Sequence, residues 1–105
     1  MRFASREKAI LSQWEIGAAL VPGGGPMARL PRLMERGRAL EVLLTGNDID
    51  IDGDLAERYG YVNRALPDAE FDAFVDTMAR RIARFDKQSI TDIKRLVDAS
   101  SLPPN

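Results

Sequence analysis

The sequence predicts a mainly helical α+β chain with short strands. Three observations carry that reading. Phe71, Phe74, Val75, Met78, Ala79, Ile82 and Phe85 recur at i, +3, +4, +7, +8, +11 and +14, which draws one apolar stripe along a helix. Proline and glycine at 22–25, 46, 60 and 67 cut the remainder into pieces too short for a large sheet. The 105 residues, 45% apolar and 30% charged, have globular composition and the size of one small domain or a piece of a larger one.

Residues 9–21 are apolar apart from Ser12, Gln13 and Glu15. A short strand over 9–14 running into a loop is expected there, on a period that does not separate strand from helix. Pro22 and the three glycines behind it end any regular element. Met27, Leu30, Leu33 and Met34 then fall at helical spacing with Pro31 among them, so this helix starts just before Pro31 or is kinked by it. Gly37 separates a second apolar helix over 38–44, stopped at Thr45-Gly46 by a left-handed residue.

Residues 55–59 make a short helix, capped by Asp52 or Asp54 and closed by Gly60. Residues 61–66 read as a strand, and Pro67-Asp68 opens the striped helix. Its stripe is core or subunit interface. Arg80, Arg81, Arg84 and Lys87 form its solvated face, with contact to a ligand phosphate as the alternative. Ser89 and Asp92 give a Ser-x-x-Asp cap signal ahead of Ile90, Ile93, Leu96 and Val97. Residues 100–105 read as a frayed tail. No internal repeat and no second domain are visible, so 1–105 is one unit.

Composition excludes several functions. Fifteen basic and sixteen acidic residues leave a net charge of −1, with no global field toward nucleic acid or anionic lipid. Without Cys there is no disulfide, zinc-thiolate site or thiol nucleophile. Without His, acid–base chemistry near neutral pH falls to a perturbed carboxylate, Lys or Tyr. No run approaches the roughly 18 apolar residues of a membrane span, and the basic opening MRFASREK is not a signal peptide. A cytoplasmic location is expected.

Three motifs carry possible chemistry. The aspartates at 48, 50, 52 and 54 with Gly53 imitate a calcium loop, but its twelfth position is Tyr59 rather than a bidentate Glu. A helix cap with surplus carboxylates is the better account, and no metal is expected. The glycines at 23–25 lack the Gly-Lys-Ser/Thr of a phosphate loop. They form a plain turn, or a turn opening a helix whose unpaired N–H groups hold an oxygen of a ligand or water. Glu15 is either exposed at a strand end or buried, where desolvation would raise its pKa toward that of a general acid/base.

The order of several motifs adds a resemblance. RFASREKAILSQWEIG at 2–17, PGGG at 22–25, RLPRL at 29–33, ALEVLLTG at 39–46 and GYVN at 60–63 follow the pattern A-x-F-x-x-P-E-x-G-x-x-P-G-x-G, L-x-R-x-x-G, A-x-E-x-x-L-T-G and G-L-V-N. The chain resembles the second half of the crotonase (enoyl-CoA hydratase/isomerase) superfamily over its whole length. Trp14 stands where Pro is usual, Tyr61 where Leu is usual, and Asp52-Gly53-Asp54 where an Ala-containing helix start is common.

The resemblance implies the C-terminal portion of the crotonase (ClpP/crotonase-like) spiral fold, with a catalytic-loop segment at 1–25 and a helical, oligomerising segment at 26–105. Met1 falls inside a strand of the family. Glu15 takes the place of the downstream catalytic glutamate, which exchanges a proton with the acyl chain or the attacking water. Gly23 takes the place of the glycine whose N–H positions that water. The implied substrate is an acyl-CoA thioester, with no cofactor beyond the coenzyme A it carries. Trimer-type homo-oligomers are implied too. The oxyanion-hole N–H groups, the second catalytic glutamate and most of the coenzyme A pocket lie upstream in the family, so a fragment inactive alone is the expectation. A non-catalytic helical interaction module is the alternative, and a calcium-binding peptide the third.

Overall fold

A computed structural model describes residues 1–46 and 50–102. In chain order the elements are β1 (Phe3–Ser5), β2 (Ile10–Leu11), a 3-10 turn (Glu15–Ala18), α1 (Pro26–Thr45), β3 (Ile51–Asp52), α2 (Gly53–Tyr59), β4 (Arg64–Leu66), α3 (Asp68–Ala83) and α4 (Lys87–Ser101). This is the helix-dominated α+β class the sequence predicts.

The strands pair in two small ladders. β1 and β4 run parallel, with Phe3 opposite Arg64 and Ser5 opposite Leu66. Asn63 N–H donates to the Arg2 carbonyl at 2.7 Å and Arg6 N–H to the Leu66 carbonyl at 2.8 Å, which extends this ladder at both ends. β2 and β3 run antiparallel, with Ile10 opposite Asp52 and Leu11 opposite Ile51. Both strands expected from sequence are therefore shorter than read. Only Ile10 and Leu11 of 9–14 enter a ladder. Tyr61 and Val62 of 61–66 donate back to the Ala56 carbonyl, at 2.9 and 3.2 Å, before β4 begins.

α1 begins at Pro26, whose missing N–H costs nothing at a first helical position. Pro31 lies inside the helix, but the break comes at Glu35, where φ is +70° and ψ 170°. Gly37, the expected separator, stays helical. Counting L-x-R-x-x-G from Leu30 puts the glycine of that pattern at Glu35, so a side chain occupies a conformation that suits glycine. The break lets Ala39, Val42 and Leu43 of the second half join Leu30 and Met34 of the first in one core. Ala4, Ile51, Ala56 and Val62 complete it.

α2 is capped as expected. Asp52 Oδ1 accepts from Leu55 N–H at 2.8 Å, and Gly60 closes the helix at φ +82°. A Cβ on Gly60 would stand 2.8 Å from the Leu33 carbonyl oxygen, so glycine also permits backbone contact between α1 and the end of α2. Tyr59 fastens the same two elements. Its hydroxyl donates to Glu41 Oε2 at 2.6 Å, which together with desolvation raises its pKa, and Arg38 lies 4.9 Å above its ring.

α3 leans on β1 through an edge-to-face contact of Phe74 with Phe3, centroids 5.6 Å apart. Along its stripe Phe71, Phe74, Val75, Met78 and Ile82 are half-buried, whereas Ala79 and Phe85 are exposed. Neither α3 nor α4 contains a fully buried residue. α4 is capped by Asp86, which accepts from both Ser89 N–H and Ser89 Oγ at 2.8 Å. The cap expected at Ser89 thus moves up one turn, because that hydroxyl is a donor to the stronger cap. The helix also reaches Ser101, so residues 100 and 101 are not a tail, and 103–105 lie outside the described residues. The whole forms a plate of 46 × 38 × 19 Å.

Candidate functional site

Glu15 opens the 3-10 turn. Gly17 N–H donates to the Trp14 carbonyl, Ala19 N–H to that of Ile16 and Leu20 N–H to that of Glu15, at 2.9–3.0 Å. Ala19 ends the turn at φ +58°. The turn packs on the end of α1, where a Cβ on Gly46 would come 3.2 Å from Ile16 Cγ2. Glu15 is left half-buried, with its Oε2 buried and without a hydrogen-bond partner. An unpaired buried acceptor costs about 1–3 kcal/mol, so this oxygen has an unfilled place for a hydrogen-bond donor. The same turn walls an apolar pocket of about 190 Å³ formed by Ile16, Leu20, Val21, Met27, Leu40 and Leu44, with Pro22 and Leu43.

Gly23 is exposed and rims a second cleft, of about 270 Å³, with Gly24, Gly25, Pro26, Arg2, Gln13, Arg29 and Tyr61 around it. Among the described residues no backbone carbonyl accepts from the Gly23 N–H. Gln13 Nε2 donates to the Tyr61 hydroxyl at 3.3 Å and Arg2 Nε to the Tyr61 carbonyl at 2.7 Å, which fixes the opposite wall. Glu15 does not line this cleft. The two residues singled out in the sequence lie eight positions apart, and of the two only Gly23 lines this cleft.

The acidic run separates into ordinary tasks. Asp48 lies outside the described residues, Asp52 caps α2, and Asp54 accepts from Arg6 Nε at 2.9 Å. Among the described residues no three His, Cys, Asp or Glu side chains are grouped to hold a metal ion. No helix among them is long and apolar enough to cross a membrane. On α3, Arg80 is paired with Asp76 at 2.8 Å, and Arg81 edges a cleft with Glu70, Phe74 and Met78. Sequence reading missed a group of arginines. Arg2, Arg29 and Arg32 converge on one pocket, and only the i, i+3 spacing of the last two was a signal.

No family model matches the chain. A short-chain-enoyl-CoA hydratase from Clostridioides difficile is 35% identical, over 96% of this chain and 71% of that protein. The chain belongs to the crotonase (enoyl-CoA hydratase/isomerase) superfamily. A crystal structure described as an enoyl-CoA hydratase from Streptomyces avermitilis superposes on it with a TM-score of 0.94 and 53% identity, covering 99% of this chain and 37% of that one. A relative from Dictyostelium discoideum, described as a mitochondrial enoyl-CoA hydratase, is 34% identical over 90% of this chain and 33% of its own length. This crotonase chain thus spans about a third of the length of those two relatives. Its kinked α1, two small ladders and two C-terminal helices belong to the crotonase fold.

Proposed function

We propose that this chain is the glutamate-bearing C-terminal part of an enoyl-CoA hydratase/isomerase-type enzyme that acts on acyl-CoA thioesters. The observation that carries the reading is the buried, unpartnered Oε2 of Glu15, in a turn whose next residue, Ile16, lines an apolar pocket. A carboxyl held this way exchanges a proton with a substrate carbon or a water at low reorganisation cost. Gly23 contributes a backbone N–H that orients the water. The substrate brings coenzyme A, and no separate cofactor or metal takes part.

The 105 residues alone leave crotonyl-CoA hydration at background. Loss of an oxyanion-hole donor costs about 10²–10³ in rate, and loss of an acid/base partner about 10²–10⁴. The test is a crotonyl-CoA hydration assay on this chain and on a longer enzyme containing the same segment. The short chain gives no signal. In the longer enzyme Glu15→Gln lowers kcat by about 10²–10⁴ while KM changes little. Robust hydration by the 105 residues, or a fully active Glu15→Gln enzyme, would overturn the assignment.

A second reading, a non-catalytic helical oligomerisation module, rests on α3 and α4. They bury no residue fully, α4 exposes Ile93 at 62% and Leu96 at 58%, and the link between them exposes Phe85 at 66%. Such a surface favours self-association. Both readings expect a homo-oligomer in sedimentation at tens of micromolar; a clean monomer would remove the second and count against the oligomer expected of the first. Cytoplasmic location belongs to the first reading.

A further inference from the structure

Arg2 from the edge of β1, Arg29 and Arg32 from α1, and Ser101 and Leu102 from the end of α4 enclose a pocket of about 220 Å³, floored by Leu33. No Asp or Glu lines it. Among the described residues none of the three arginines joins an ion pair. Two of the heads are steadied by backbone. Arg2 Nε donates to the Tyr61 carbonyl at 2.7 Å, Arg32 Nη1 donates to the Ala28 carbonyl, and Arg29 Nη1 rests where Gly25 lacks a Cβ.

We propose that this pocket binds a phosphate-class dianion. Backbone anchoring of Arg2 and Arg32 leaves their remaining N–H groups, together with the guanidinium of Arg29, free to present the flat fork that matches phosphate oxygens. Three positive heads around one small space, with no acidic side chain in its lining, form a local positive field. A monocarboxylate can satisfy one such fork, whereas a phosphate presents enough oxygens to engage all three. Glu15 does not line the site, and only the coenzyme A source of its ligand rests on the proposed function. Its ligand is free phosphate or the phosphate monoester of a larger molecule such as coenzyme A.

The test is a titration of the 105-residue chain with inorganic phosphate, followed by arginine Nε–Hε resonances and by calorimetry. The expected result is movement of Arg2, Arg29 and Arg32 with Arg84 and Arg95 still, and binding at least about tenfold tighter than acetate. Arg29→Gln and Arg32→Gln each weaken it about three- to tenfold, the low end for charge-assisted bonds because the heads are exposed. Arg29→Lys falls between, keeping charge and losing the fork. Coenzyme A tighter than dephospho-coenzyme A at these resonances identifies a monoester ligand; equal affinity identifies free phosphate. Shifts spread equally over Arg84 and Arg95 would overturn the proposal, as would unchanged phosphate binding by an Arg29→Gln/Arg32→Gln chain with an unaltered circular dichroism spectrum.

Discussion

Replacing Glu35 by glycine should stabilise the protein. The residue interrupts α1 at φ +70° and ψ 170°, its side chain is exposed, and its carboxylate makes no ion pair among the described residues. Holding a non-glycine residue in so sparsely populated a conformation costs about 1–3 kcal/mol. Glycine removes that cost and adds about 0.4–1 kcal/mol through the greater freedom of the unfolded chain. The net gain is about 0.5–2 kcal/mol, at about 4–8 °C in Tm per kcal/mol for a domain of this size. Urea unfolding followed by circular dichroism reads it as a higher midpoint at unchanged slope. Two controls sharpen the result. Glu35→Ala keeps a Cβ at the same φ and should gain little. Gly37→Ala, in a helical position with nothing within 4 Å of the new Cβ, should gain about 0.5–1 kcal/mol. A midpoint for Glu35→Gly at or below that of Glu35→Ala would refute the reasoning.

Gly60→Ala should destabilise by at least about 2 kcal/mol, since it combines a left-handed φ with a Cβ pressed on the Leu33 carbonyl; an unchanged urea midpoint would contradict it. Asp86 has a lowered pKa, chiefly because its carboxylate accepts from the Ser89 hydroxyl and then from the Ser89 N–H. Asp68 is lowered as well, by its bonds to Lys8 and Ser5. The depressed folded pKa makes the ionised carboxylate stabilising above the unfolded value of about 3.9, and this contribution fades as pH falls through the folded value. Asp86→Asn retains a capping side chain and removes one of these titrations, so its stability deficit should shrink between about pH 5 and pH 2. A deficit that does not vary with pH would disprove that origin.

What could be read beforehand was whatever local chemistry decides. The α3 stripe, the Asp52 cap and the Gly60 stop each lie within a few residues of the signals that announce them. The break in α1 was misplaced because Gly37 is the stronger local breaker, while the observed break answers to packing of Ala39 and Val42 against Leu30 and Met34. Strands of two or three residues are too short for a period to show, so periodicity gave no sign of β1 and overextended β2 and β4. Glu15 stood out as a lone carboxylate in an apolar run, yet composition left its burial open. Its turn rests against Gly46, 31 positions beyond, a contact no local pattern announces. The arginine pocket was hidden for the same reason, since Arg2 meets Arg29 and Arg32 only after the chain folds back.

The parallel pairing of β1 with β4 also sets a timetable. Phe3, Ala4 and Ser5 can find their partners only once Arg64, Ala65 and Leu66 have been made. At about 5–20 residues per second of synthesis, the 61 positions between Arg2 and Asn63 take about 3–12 s to appear. Through that interval the β1–β4 ladder cannot form, while α1, whose helical bonds are local, already can. On the ribosome this ladder is therefore a late closure, laid down after the helix that lies between its strands.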